Sequence, residues 1–328
     1  MELPPLLRRA VDHALSGVPL ADLATAAATL SERYRDERRD GKFHVANDRA
    51  ALAYLAVRLP ATYAAIRSSF AAVAQARPDL APKTLLDIGA GPGTALWAAA
   101  DCWPDLADAL LVEASPVFRA RGERLAANAS LPRIAWRMAD IVSDAADHAP
   151  RDLVAMAYVL NELDPEVRPA VLQRLWRATA DTLIVVEPGT PAGWQRILAA
   201  RQQLIDIGAH VIAPCPHAAA CPLRAPDWCH FAARVARSRM HRLAKGADVP
   251  WEDEKFSYVA LSRAPAAAAG ARIIAPPRRG SGRVTLKLCH PDGSAGKQLF
   301  SRRDGDVFKR ADRSDWGSLL TAPARRPV

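Results

Sequence analysis

The sequence predicts an α/β protein whose centre is a parallel, Rossmann-like sheet. Residues 83–190 alternate short apolar runs with segments of helical spacing, the pattern of a parallel sheet covered by helices on both faces. A glycine-rich turn at residues 89–93 joins the first strand to its helix. The flanking regions differ from this core. Residues 1–80 have a helical pattern, and residues 266–328 contain short alternating runs broken by turn residues.

The N-terminal region, residues 1–80, is predicted to be helical. Residues 19–39 carry apolar side chains at helical spacing and end in charged ones. Pro60 is expected to separate two further helices, since the residue before a proline avoids the helical conformation.

Five strands are predicted in residues 83–190, with helices between them. The strands lie in LLDI, DALLVE, RIAWRMADI, DLVAMAYVL and DTLIVVE. Crossovers between parallel strands are right-handed, so few topologies remain open.

The chain after residue 190 is predicted to leave the sheet and return to it. A helix at 191–208 precedes a strand at 255–263 that can rejoin the sheet. Residues of about 209–250 are then an insertion in a domain spanning 81–265, and a basic helix is expected at 231–246. Residues 266–328 are predicted to form a small, basic, β-rich C-terminal extension, because Pro-Asp-Gly and Asp-Gly are turn signals of antiparallel hairpins.

Positive charge is concentrated in the last two-fifths of the chain. Residues 1–190 hold 21 Lys and Arg against 24 Asp and Glu, whereas residues 191–328 hold 23 against 11. This asymmetry indicates either a polyanionic partner, with nucleic acid the first choice, or a solvated basic surface. No apolar run approaches the ~20 residues of a membrane span, and the first residues lack the layout of a signal peptide. We expect a cytoplasmic monomer with no membrane partner.

The glycine-rich turn, DIGAGPGT, indicates a nucleotide-type cofactor. Its G-x-G-x-G spacing, with an acid two residues before the first glycine, resembles the S-adenosylmethionine loop of Rossmann-like methyltransferases. It fits NAD less well, because the NAD fingerprint is G-x-G-x-x-G. An acid ending the second strand suits a ribose diol, and one ending the third suits an adenine amino group. A glycine turn that has lost its ligand remains an alternative. The predicted cofactor-binding residues are Asp87, Gly89, Gly91, Gly93, Glu113 and Asp140.

The segment after the fourth strand, AYVLNEL, occupies a position where many methyltransferases hold their substrate. It contains no Asn-Pro-Pro-Tyr or Pro-Cys motif. Asn161 and Glu162 are expected to cap the next helix rather than to act on substrate. The sequence therefore predicts no particular catalytic residue.

Four of the five cysteines form a widely spaced set. Cys102 lies near the first sheet helix and is expected to be a small buried residue. The others follow the spacing C-x5-C-x7-C-x59-C, which is looser than the pairs of zinc knuckles and closer to iron–sulfur ligation. Neighbouring histidines could replace a thiolate and favour zinc, so a [4Fe–4S] cluster, zinc and unligated thiols stay open. The histidines are His217, His230 and His290; the candidate metal ligands are Cys215, Cys221, Cys229 and Cys289.

Several motifs together resemble the methyltransferase-like family of mitochondrial small ribosomal subunit proteins and their bacterial relatives. The motifs are YLAVRLPATYAA, LLDIGAGPGTALWA, VLNEL, VVEPGTPAGW, APCPH with the following CP and DWCHF, KFSYVALSR and CHPDG. They extend from about residue 43 to the end of the chain.

The resemblance implies more than the spacing does. It implies a class I methyltransferase fold, bound S-adenosylmethionine and a [4Fe–4S] cluster on the four candidate cysteines. It also implies a role in small-subunit assembly and translation through binding of 16S-type ribosomal RNA, while methyl transfer to ribosomal RNA or a ribosomal protein is the alternative. The absence of a presequence fits a bacterial, cytoplasmic member.

Overall fold

The computed structural model describes residues 1–37, 43–127, 129–131, 133–143, 148–266 and 270–321. Four helices come first, as predicted, and they pack with the first two sheet helices on one face of the central sheet. Pro60 stands in the first turn of the fourth helix, where a proline needs no backbone donor, so the predicted break is confirmed. The helices are α1 (Pro5–Leu15), α2 (Leu20–Arg35), α3 (Asp48–Val57) and α4 (Leu59–Ala76).

No single helix in the described ranges is long and apolar enough to cross a membrane. The pair α1 and α2, bent by 113° to each other, reaches that length and composition only together.

The central sheet has eight strands in the described residues, ordered β3-β2-β1-β4-β5-β8-β6, with β7 also paired to β8. Neighbouring strands from β3 to β5 are parallel, and β8 runs antiparallel to β5, β6 and β7. The strands are β1 (Thr84–Ile88), β2 (Asp108–Glu113), β3 (Arg133–Met138), β4 (Arg151–Ala157), β5 (Thr179–Pro188), β6 (His210–Ala213), β7 (Phe231–Ala236) and β8 (Trp251–Ser262).

Helices cover both faces of this sheet. One face packs on the N-terminal helices together with α5 and α6, and the other packs on α7 and α8, which gives two separate apolar cores. The five predicted strands and the return strand are thereby confirmed. The sheet helices are α5 (Thr94–Cys102), α6 (Pro116–Ala126), α7 (Arg168–Arg177), α8 (Pro191–Asp206) and α9 (Arg239–Lys245).

The predicted basic helix at 231–246 is wrong in its first half. Residues 231–236 form β7, in which buried and more exposed side chains alternate, and only α9 is helical. Its alanine and arginine content favours a helix, but β8 supplies a partner whose hydrogen bonds fix the strand. The short strand β6 was also not predicted.

The C-terminal extension forms a second, antiparallel sheet, as predicted. The Pro-Asp-Gly turn joins β11 to β12. The Asp-Gly at 304–305 is not a hairpin turn, because Gly305 starts a helix that packs on the sheet. The elements are β9 (Ala271–Ile273), β10 (Arg278–Gly280), β11 (Arg283–Cys289), β12 (Ala295–Ser301), α10 (Asp306–Arg313) and β13 (Leu319–Leu320).

Candidate functional site

A cavity of about 510 Å³ opens where β1, β2 and β4 end, the edge at which parallel α/β sheets bind ligands. Four of the six predicted cofactor-binding residues line this cavity: Gly89, Gly91, Glu113 and Asp140. Asp87 and Gly93 do not line it. Among its described lining residues there is no lysine or arginine. We call it the carboxylate cavity after its acidic lining residues, Glu113, Asp140, Glu162 and Asp164.

The glycine turn brings the backbone close to this cavity. Gly89 and Gly91 have φ of +66° and +54°, a conformation that other residues rarely adopt. A Cβ on Gly89 would lie 2.3 Å from Cγ2 of Val159, so no side chain fits there. At Gly91 the nearest atom to such a Cβ is 4.0 Å away, which leaves that side of the turn open to a ligand.

Glu113 is fixed at the end of β2 by two backbone donors. The N–H groups of Gly91 and Ser115 each donate to its carboxylate at 2.7 Å. Burial raises the pKa of Glu113, and these hydrogen bonds oppose the shift. Its carboxylate is thereby held against the glycine turn, where a ribose would lie in the predicted arrangement.

Asp87 lies beneath the turn rather than in the cavity. It is 2% exposed, and its Oδ2 atom has no hydrogen-bond partner among the described residues. Burial, followed by the nearby charge of Glu113, raises the pKa of Asp87 to about 8. The carboxyl is therefore mostly protonated at neutral pH.

Asn161 and Glu162 do not cap a helix, so that prediction is wrong. Helix α7 begins at Arg168, several residues later, and its N-cap residue makes no side-chain hydrogen bond. Glu162 instead lines the carboxylate cavity, with its Oε1 atom 3.8 Å from Nε2 of His44. The position of this segment after the fourth strand was the sequence signal that could have predicted that Glu162 lines the cavity.

Tyr158 begins the same turn with a φ of +60°, a strained value for a residue with a side chain. Its hydroxyl donates to Oε1 of Glu254 on β8 at 3.0 Å. The N-terminal region adds Tyr34, His44 and Tyr54 to the lining, and the sequence analysis missed all three. They come from segments far away in the chain, and no local motif marks them.

The four candidate metal ligands line a second cavity of about 30 Å³, which we call the thiol cavity. Cys215 follows β6, Cys221 lies in the loop, Cys229 precedes β7 and Cys289 ends β11. The thiol cavity therefore joins the insertion to the C-terminal sheet. Cys102 lies apart on α5 and does not line it.

Burial dominates the electrostatics of these thiols. It raises the pKa values of Cys215 and Cys229, and it raises the pKa of Cys289 to about 12. These shifts favour the protonated form of the three thiols, so a metal ion would have to displace their protons.

Two of the neighbouring histidines, His217 and His230, have side-chain contacts of their own. Nε2 of His217 lies 3.3 Å from Sγ of Cys289, and Nδ1 lies 3.2 Å from the Ala219 carbonyl oxygen. His230 stacks on Trp228 with ring centroids 4.9 Å apart. Within the described ranges, no three His, Cys, Asp or Glu side chains are arranged to hold a single metal ion.

The order of the strands, together with the position of the carboxylate cavity at their carboxyl ends, defines the fold class of this protein. Parallel strands in the order β3-β2-β1-β4-β5, followed by an antiparallel β8 beside β5, are the class I methyltransferase fold. The magnesium protoporphyrin IX methyltransferase from Synechocystis PCC 6803, solved with bound S-adenosylmethionine, overlaps loosely. It is 14% identical, with a TM-score of 0.42, over 76% of this chain and 100% of that one.

The chain belongs to the mitochondrial small ribosomal subunit Rsm22 family, whose profile matches residues 48–321. It is 31% identical over 290 residues to the human mitochondrial ribosome assembly protein METTL17, covering 82% of this chain and 62% of that protein. It is 23% identical to the mitochondrial Rsm22-cox11 tandem protein 2 of Schizosaccharomyces pombe, covering 91% and 46%. The chain thus spans less than two thirds of the length of these relatives.

Proposed function

We propose that this protein assists assembly of the small ribosomal subunit in the bacterial cytoplasm by binding 16S-type ribosomal RNA. S-adenosylmethionine would occupy the carboxylate cavity, and a [4Fe–4S] cluster would occupy the thiol cavity. One observation carries the proposal: in a member of this ribosomal family, the thiol cavity fixes a basic sheet against a methyltransferase fold. The name of the human relative, a ribosome assembly protein, supports it.

The RNA-binding surface that we propose is the open face of β10, β11 and β12. Val284, Leu286 and Leu288 of β11 point to the buried face, so the alternate positions of the strand lie on the other one. Strand register places Arg278 opposite Thr285, and Lys297 opposite Lys287, on this face. Lys287 is ion-paired with Asp227 of the insertion, so the face is open at its other cations. We call it the basic face; its members are Arg278, Arg283, Thr285, Lys287, Lys297 and the 60% exposed Leu299.

Charge reversal on the basic face tests RNA binding. The double variant Arg283→Glu, Lys297→Glu should weaken binding to a 16S ribosomal RNA transcript. It should also reduce the slope of log affinity against log salt by roughly 1 per lost phosphate contact. Arg8→Glu with Lys83→Glu, two exposed cations far from the basic face, is the matched control. Equal slopes for the two double variants and the unaltered protein would contradict the proposal.

The dimensions and charge of the carboxylate cavity support S-adenosylmethionine. Its volume lies in the range of about 300–1,000 Å³ usual for small-molecule sites. An acidic lining suits a ligand with a sulfonium and an ammonium group, whereas the pyrophosphate of NAD would be repelled. Glu113 would accept hydrogen bonds from the ribose, and Asp140 would meet the adenine.

Four cysteines line the thiol cavity, and their spacing, C-x5-C-x7-C-x59-C, is looser than the paired spacing of zinc knuckles. This donor set and spacing favour a [4Fe–4S] cluster over zinc. The cavity must widen to admit it. Anaerobic purification should give a brown protein with iron and sulfide in about equal amounts, and colourless protein with one zinc would refute the cluster.

A second function, methyl transfer, is favoured by Glu162. Burial in the cavity raises the pKa of this carboxyl to about 8, with the charges of Glu113 and Glu187 adding to the shift. The side chain is 40% exposed to the cavity, so it can contact a substrate nucleophile, and solvent there reduces the effect of burial on its pKa. Labelled S-adenosylmethionine and immature small subunits from a deletion strain should then give labelled RNA or protein. No transfer despite measured cofactor binding would exclude this activity.

A further inference from the structure

Two arginines are buried beside the thiol cavity. Arg201 lies on α8 and Arg272 on β9, each is 2% exposed, and both line the cavity. A guanidinium stays protonated in proteins, so each arginine carries a full positive charge in the buried, largely apolar surroundings of the thiol cavity. Such a charge is costly to bury unless an opposite charge lies close to it.

Their hydrogen bonds go to neutral groups. Nη2 of Arg201 donates to the carbonyl oxygens of His217 and Ala219, both at 2.8 Å. Nε of Arg201 has no hydrogen-bond partner in the described part of the chain.

Arg272 is held in the same way. Nε donates to the carbonyl oxygen of Pro214 at 2.9 Å, and Nη1 donates to that of Gly317 at 2.8 Å. These bonds fix both guanidiniums between the insertion and the C-terminal sheet without neutralising either charge.

Arg196, five residues earlier on α8, has the carboxylate partners that Arg201 and Arg272 lack within the described residues. It is also buried, and its guanidinium forms ion pairs with Glu187 at 2.6 Å and with Glu37 at 2.8 Å. No described carboxylate forms an ion pair with Arg201 or Arg272. The groups that line the cavity beside them are the four thiols, together with His217 and neutral side chains.

We propose that Arg201 and Arg272 are the counter-charges of an anionic, thiolate-ligated metal group in the thiol cavity. The inference rests on the metal centre proposed above. Four thiolates around a core with two positive charges carry two surplus negative charges, which the two guanidiniums balance. The arginines touch no metal; they stabilise the loaded state and favour the more negative, reduced state of a cluster.

Neutral and charged replacements separate charge from shape. Arg201→Gln and Arg272→Gln keep an N–H donor but lose the charge, whereas Arg201→Lys and Arg272→Lys keep the charge. Each glutamine variant should lose its metal to an added chelator about tenfold faster than the unaltered protein. The ratio of oxidised to reduced cluster should change about tenfold, a shift of about 59 mV to more negative potential. The lysine variants should remain near the unaltered values.

Three results would overturn the inference, and they are distinguishable. Unaltered protein that carries neither iron nor zinc removes the metal centre and the arginine role together. Unaltered protein with metal, but glutamine variants with unchanged release and potential, removes the arginine role alone. Lysine variants that lose metal, or fail to fold, as readily as the glutamine variants show that shape and not charge is what the cavity requires. If the centre contains zinc, the release rates alone decide.

Discussion

The two cavities of this protein are opposite in size and in charge. The carboxylate cavity is about 510 Å³ and lined by acids without a described lysine or arginine, while the thiol cavity is about 30 Å³ and flanked by two buried arginines. The larger, acidic cavity suits a cationic ligand, as proposed for S-adenosylmethionine. The smaller cavity, with fixed positive charge beside it, suits an anionic group, as proposed for the metal centre.

The largest expected effect is the loss of one thiol. Cys289→Ser should abolish metal binding and lower the free energy of unfolding by more than about 5 kcal/mol, because metal binding is coupled to folding at such sites. Metal analysis and thermal unfolding measure it. Cys102→Ser, outside the thiol cavity, is the matched control and should cost about 1 kcal/mol. Equal losses in the two variants would remove the distinction between the cysteines.

The carboxylate cavity should respond to Gly91→Arg without loss of metal. A long side chain at this open position of the turn fills the ligand space, and the φ of +54° adds strain. Calorimetric titration should show at least a hundredfold loss of S-adenosylmethionine affinity, about 2.7 kcal/mol. Gly17→Arg has a similar φ of +77° and no neighbouring atom within 4 Å, so it controls for backbone strain. Unchanged affinity in Gly91→Arg would place the cofactor elsewhere.

The smallest effect concerns Asp87. Its pKa is raised from 3.8 to about 8, so the folded protein holds an extra proton between these values, and the free energy of unfolding falls as pH rises through them. Asp87→Asn should remove this slope, giving about equal stability at pH 4 and a higher free energy of unfolding at pH 8. Denaturant unfolding at several pH values measures it. Parallel stability curves would mean that Asp87 is ionised when folded.

Local patterns were sufficient to predict the five parallel strands and the return strand of the central sheet from the sequence. Most of the parallel strands contain a continuous apolar run, whereas β3, RIAWRM, is only partly buried. The glycine turn requires a conformation that few other sequences allow. The same locality explains the failures. Residues 231–236 have a helical composition and become a strand only because β8 lies beside them. Helix α10 follows a turn signal that is equally common in hairpins.

The sequence predicted some residues of the two candidate sites and missed others. The four cysteines could be selected because the resemblance gave their roles, and the structure brings them to one cavity. Arg201 and Arg272 carried no signal, since arginine is common in this chain and burial is a property of the fold. Tyr34, His44 and Tyr54 reach the carboxylate cavity only through packing of the N-terminal helices. Long-range packing of this kind leaves no trace in local spacing.

The position of Cys289 on β11 sets an order of events during synthesis. Three thiols of the cavity are made early, and the fourth follows Cys229 by 60 residues. At the usual 5–20 residues per second, roughly 3–12 s pass before the cavity can close. During that interval Cys215, Cys221 and Cys229 lack the strand that covers them, and they are open to oxidation or to a wrong metal. The vulnerable period of this protein is therefore its own translation.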